Sequence, residues 1–121
     1  MLIALWIVQA LLGLIFIITG SFKFSQTREK VIASGGAWAG DFAPGIIKTI
    51  AGLELLSGLS LLIAKVLGDG RYLTFIGAAC IAIIMAGSIY THIRRKEFQH
   101  AAINSVFLLM ALFVAYAGGP W

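Results

Sequence analysis

Acidic residues are scarce in this sequence, five in 121, and charged residues of both signs make up only 12%. A soluble domain carries about 25%, so an ordinary water-facing surface is excluded. Cysteine occurs once, at Cys80. An internal disulfide and a CxxC redox pair are therefore excluded. The only two prolines, Pro44 and Pro120, lie outside the long apolar runs. No P-loop, GxSxG, HExxH or GxGxxG after a strand occurs, which removes the common phosphate-binding and hydrolytic constellations. Both histidines, His92 and His100, sit at the edges of apolar runs. A haem would lack an axial ligand within the span, and no third ligand stands at a spacing that would complete a metal site.

What is present is apolar surface: 60% of residues are hydrophobic, and the mean hydropathy is +0.99. That composition belongs to an integral membrane protein. Four runs, about 2–22, 46–66, 71–93 and 99–117, each approach the roughly 20 residues that span a hydrocarbon core of about 30 Å. They predict an all-α fold, a four-transmembrane-helix antiparallel bundle forming a single integral membrane domain over 1–121. The first run lacks the basic n-region of a secretory signal, and its apolar core exceeds the usual 7–15 or so residues. It is expected to be a retained transmembrane helix.

The longest connection, 23–45, carries Lys23, Arg28, Glu29, Lys30 and Asp41, a Gly35-Gly36 break, and Pro44 before the second run. A short helix is expected over 28–33, with Trp38 and Phe42 as interfacial anchors. Leu67-Gly68-Asp69-Gly70 reads as a tight turn, which makes the second and third helices antiparallel neighbours. Gly118-Gly119-Pro120 stops the fourth helix before an interfacial Trp121. The formal charge of +4 comes from basic residues confined to connections and helix ends, so it reports topology and not a nucleic-acid surface. Seven basic residues fall on the side of the loops after helices one and three, and two, Lys65 and Arg71, on the other. This bias predicts charged loops in the cytoplasm and both termini outside, as in a bacterial inner membrane.

Glu54 is the acid that falls inside an apolar run, in Gly52-Leu53-Glu54-Leu55-Leu56-Ser57-Gly58. A charge at the centre of a spanning helix costs at least about 2.5–3.5 kcal/mol, so it faces a protein interior or a wet cavity and takes a partner. Ala51, Ser57 and Gly58 lie three or four positions away and give its face a small, partly polar character. At 1.5 Å per residue, Glu54 sits about 12 Å below the cytoplasmic surface. Helix one carries Gln9, Gly13, Phe16, Gly20 and Lys23 on one stripe; helix three delivers Ser88, Tyr90, Thr91 and His92; helix four brings His100, Asn104 and Ser105. Polar groups thus gather in the cytoplasmic half, whereas the outer half is apolar apart from Gln9.

Each candidate has a structural reading beside its functional one. Glu54 either fixes helix packing through an ion pair or binds a ligand or proton. Lys23 either snorkels to the interface or reaches Glu54. Lys48 is expected to snorkel to phosphates, and Asn104 to make an interhelical hydrogen bond. Ala78, Ala82 and Ala86, spaced by four, let a partner backbone approach closely, as do Gly13, Gly20 and Gly58. Cys80 faces away from the alanine stripe, toward packing or lipid.

In order and spacing, these features resemble the DoxX-like family of small four-helix membrane proteins. The residues that carry the resemblance are Gly20-Ser21-Phe22-Lys23-Phe24, Pro44 before the second helix, Gly52-Leu53-Glu54-Leu55-Leu56-Ser57-Gly58-Leu59-Ser60-Leu61-Leu62 with the short turn after it, His92 to Phe98, and Asn104. The resemblance implies a four-helix bundle. Members resemble membrane subunits tied to quinone and sulfur-compound oxidation or partners in redox-stress complexes. One branch resembles the receptor-assembly chaperone NACHO, which binds other membrane helices. Small multidrug resistance transporters also have four helices and one membrane carboxylate, but theirs lies in helix one, where this chain has no acid.

The resulting expectation is a non-catalytic bilayer protein that binds partner membrane helices or a lipid-like ligand through Glu54, Lys23, Asn104, Ser57 and His92. It is expected to be a homodimer with no metal, no nucleic-acid partner and no cofactor. The alternative is the membrane subunit of a quinone-linked oxidoreductase, with the quinone head group against Glu54 and His92. Proton-coupled transport by Glu54 is the third reading.

Overall fold

A computed structural model describes residues 2–33, 40, 42–67 and 70–120. The Gly35-Gly36 break, Trp38, Asp41, Gly68, Asp69 and Trp121 lie outside the described residues. Among the described residues five α-helices form: α1 (Leu2–Ser25), α2 (Arg28–Ala33), α3 (Pro44–Val66), α4 (Arg71–Arg94) and α5 (Phe98–Ala117). Among the described residues there is no strand. All but α2 are long and apolar enough to cross a membrane.

Local chemistry sets the ends. Pro44 occupies the first turn of α3, where its missing N–H is no loss, and Ala43 before it is extended (φ −66°, ψ 149°). The helix therefore starts two residues earlier than the apolar run. At its far end α1 continues past Phe22 to Ser25. There the Lys48 ammonium donates to the carbonyls of Phe24 and Gln26, so Lys48 is spent on closing α1 and not on lipid phosphates. The last carbonyls of a helix have no partner within it, and such donors satisfy them. Helix α4 ends in a Schellman turn: Lys96 N–H donates to Ile93 and Glu97 N–H to His92. Lys96 holds the left-handed position of that turn, with φ 60°.

The spanning helices pack as an antiparallel ring, with α1 chiefly on α3, α4 on α5, and α3 on α4. Along the α1–α3 seam Lys23 faces Glu54, Gly20 faces Ala51 and Leu55, Gly13 faces Gly58, and Trp6 faces Lys65. A Cβ placed on Gly58 would stand 2.6 Å from the Gly13 carbonyl oxygen and 2.9 Å from the Ile17 nitrogen. The two backbones are that close because neither glycine has a side chain. On α4, Gly77 approaches the Ser57 carbonyl of α3.

The alanine stripe behaves differently from its expectation. Ala78 is buried and Ala82 half-buried against the core, but Ala86 is exposed. A spacing of four advances about 40° per step on a helix of 3.6 residues per turn, so the third alanine has rotated out of the seam.

The core is centred on Leu12, Phe16, Leu61, Ile81 and Val114, with Phe16 edge-on to Phe107 at 5.8 Å between centroids. A satellite cluster joins Val31 of α2 to Ile47, and Phe42 packs there. Phe42 is thus part of a packed cluster where an interfacial anchor was expected. Large apolar side chains cover the outside, and on α1 they recur at Ile3, Ile7, Leu11, Leu14, Ile18 and Phe22. An exposed apolar stripe of helical period is a lipid-facing surface.

Candidate functional site

Two polar centres lie inside this apolar shell. The first is built on Glu54, whose side chain is 2% exposed, and Lys23, whose side chain is 23% exposed. The Lys23 ammonium donates to both carboxylate oxygens, at 2.9 Å and 3.3 Å, and the Thr19 hydroxyl donates to Oε2 at 3.3 Å. Thr19 lies one turn before Lys23 on α1, so a single helix face supplies both donors. The carboxylate is compensated in place, which is what its depth requires.

A cavity of about 400 Å³ opens beside this pair. Lys23 of α1 and Glu54 of α3 contribute one wall, Ser88, Thr91 and His92 of α4 another, and His100 and Asn104 of α5 close it. Below this polar end the lining turns apolar, with Ile50, Ile84 and Met85. Ile83 and Gly87 also line the cavity, and both are exposed on the outer face of α4. The cavity therefore communicates sideways with the bilayer. A Cβ on Gly87 would meet nothing within 4 Å.

At the rim, His92 Nδ1 lies 2.8 Å from Glu97 Oε1. A carboxylate only accepts, so Nδ1 carries the proton. The Schellman turn explains the contact, since it folds Glu97 back over the last turn of the helix that carries His92. Arg95 adds a longer bond to Glu97 Oε2 at 3.4 Å. The bond from His92 and the nearby Arg95 charge hold Glu97 below the usual carboxylate range, against a smaller opposing effect of burial. His100 stacks on His92 with ring centroids 5.0 Å apart.

Of the residues singled out from sequence, Glu54, Lys23, His92 and Asn104 line one cavity. Ser57 does not reach it: its hydroxyl donates back to the Leu53 carbonyl at 2.6 Å, within α3. Gly13, Gly20 and Gly58 sit at helix contacts outside the cavity. Sequence reasoning missed Thr19, Glu97 and the role of His100. Thr19 had a signal, its one-turn offset from Lys23. The Glu97 contact depends on a left-handed lysine that no pattern announces. Among the described residues, no three of His, Cys, Asp and Glu converge as a metal site would need.

The second polar centre is in the half expected to be apolar apart from Gln9, and it is built on that residue. Gln9, fully buried, donates through Nε2 to the Leu61 carbonyl at 2.9 Å and to Thr74 Oγ1 at 3.1 Å, tying α1 to α3 and α4. Its Oε1 is the buried side-chain atom without a partner among the described residues. An orphan of that kind costs about 1–3 kcal/mol.

A family model described as the DoxX-like family matches residues 7–114 of this chain. No curated protein and no solved structure matches it.

Proposed function

The chain belongs to the DoxX-like family of membrane proteins, and from that premise we propose that it binds a small lipid-like molecule in the cavity beside Glu54. The observation that carries this reading is the lining of that cavity, polar at one end, apolar along its length, and open to the bilayer at Ile83 and Gly87. Its volume of about 400 Å³ suits a head group with a short length of chain. Because Lys23 and Glu54 neutralise each other, the head group they face is uncharged. Ser88 and Asn104 line the cavity without a hydrogen bond to any described residue, and between them they offer both donors and acceptors. An uncharged head group that donates and accepts meets that demand. The ion pair is a fixed polar floor in this reading, and Asn104 and Ser88 select the ligand.

A second reading, the membrane subunit of a quinone-linked oxidoreductase, is favoured by the donors at the polar end. Lys23, His100 and Asn104 would hold the carbonyl oxygens of a quinone, and the quinone would supply electron and proton acceptance. Partner-helix binding, also expected from sequence, draws on the exposed Ala86 and Gly87 on α4.

The test uses protein extracted in a mild nonionic detergent, with mass spectrometry of the bound molecules and titration with monoolein and with a short-chain quinone. Gly87→Leu fills the cavity mouth without touching the ion pair, and it is expected to weaken binding of the preferred probe about tenfold or more, the effect of losing about 1.4 kcal/mol. Binding that is unchanged in a folded Gly87→Leu protein would refute the cavity as the site. Capture of the quinone over monoolein, with a quinone in the extract, would select the second reading.

A further inference from the structure

The opposite end of the bundle carries a separate cavity of about 220 Å³, and among the described residues its charged groups are of one sign. Lys65, near the end of α3, and Arg71, at the start of α4, both line it, and among the described residues no carboxylate does. Neither cation is ion-paired with any described residue. The Lys65 ammonium lies 4.9 Å from the centroid of the Trp6 ring, a contact that orients it without neutralising it. Val66, Leu67 and Tyr72 beside the cavity are exposed, so the two cations sit where apolar surface gives way to the interface.

An unpaired buried acceptor lies close to the same cavity. Thr74 and Gly118 form part of the wall, and the orphan acceptor Gln9 Oε1 lies directly behind them. Its own amide nitrogen is bonded to Thr74, and a Cβ on Gly118 would stand 3.5 Å from the oxygen. This orphan acceptor therefore lies just behind the wall of the cavity, at the same end of the bundle as the two cations.

We propose that this cavity is a binding site for the phosphate of an anionic phospholipid head group, a site distinct from the cavity beside Glu54. Lys65 supplies a point charge and Arg71 a fork of N–H donors, the pairing that suits a phosphate oxyanion. Trp6 flanks the head group at the membrane boundary, and the exposed apolar side chains receive its acyl chains. Free phosphate shares the anionic chemistry, but the position among lipid-facing residues selects the lipid.

The experiment measures thermal unfolding of the purified full chain in nonionic detergent with dihexanoylphosphatidylglycerol, dihexanoylphosphatidylcholine or inorganic phosphate. Dihexanoylphosphatidylglycerol is expected to raise the midpoint by about 4 °C or more, and the other two to do far less. The shift disappears in Lys65→Gln/Arg71→Gln and survives in the charge-keeping Lys65→Arg/Arg71→Lys. If the double glutamine variant fails to fold, Arg71→Gln alone, on an exposed side chain, must reduce the shift. A shift that persists in the glutamine variants, or one that dihexanoylphosphatidylcholine matches, overturns the site. An equal shift from inorganic phosphate overturns the lipid assignment. None of these outcomes depends on what occupies the cavity beside Glu54.

Discussion

Lys23 and Glu54 form one ion pair, yet removing one is not equivalent to removing the other. Lys23 is on a long stem and partly exposed, so without its partner it can turn its charge toward the interface. Glu54 has no such escape: its side chain is 2% exposed and held between α1 and α3. Lys23→Met is expected to lower stability by about 3–5 kcal/mol, the effect of stranding a buried charge. Glu54→Gln keeps the shape and a hydrogen-bonding oxygen, and is expected to lower it by about 1–2 kcal/mol. Unfolding in a denaturing-detergent titration measures both, and equal losses would show that Glu54 is as free to relax as Lys23. Glu97 yields a prediction in pH. Its folded-state pKa is depressed, first by the His92 bond and then, more weakly, by Arg95. A depressed carboxylate contributes stability that is present above its unfolded value, about 4.3, and lost as pH falls through the folded value. Melting temperature is therefore expected to fall as the pH drops below about 4.3, and Glu97→Gln is expected to flatten that part of the profile.

At the scale of the helix, two glycines of similar sequence context have opposite roles. Gly58 sits where α1 and α3 touch through their backbones, with the Gly13 carbonyl oxygen 2.6 Å from where a Cβ would go. Gly58→Ala must push the helices apart and is expected to cost about 1–3 kcal/mol. Gly87 faces open space, and Gly87→Ala is expected to be neutral or to stabilise by up to about 1 kcal/mol, because alanine is the better helix former. The same unfolding assay ranks the two, and a neutral Gly58→Ala would contradict the close approach. The lengths and apolar character of these helices were legible as runs of hydropathy, and the start of α3 was misplaced by two residues only because Pro44 is tolerated in a first turn. Lys48 was misread because a charged stem near a helix end has two outlets of similar reach, lipid phosphate or a neighbouring helix's free carbonyls. Only the packing of α1 on α3 chooses between them.

At the scale of the molecule, basic residues are concentrated at the end that holds the Glu54 cavity, seven against two. The orientation we propose puts that end in the cytoplasm. In a Cys80→Ser background, Lys96→Cys is expected to label only after the membrane is permeabilised, whereas Tyr72→Cys labels in intact cells. The reverse pattern would invert the orientation. Fold class, four spans and the likelihood of a buried acid's partner were all determined by sequence alone, because a bilayer makes strictly local demands. Each helix must satisfy its own backbone and show lipid an apolar face, and both requirements are written in consecutive residues. The register between helices decided the rest. It set Thr19 beside Glu54 and gave Gln9 a partner in Thr74. A slide of one turn along any seam would exchange these partners while leaving every hydropathy pattern unchanged, so Glu54 and Lys23 were visible as candidates from the chain, but the cavity beside them exists only in the packed bundle.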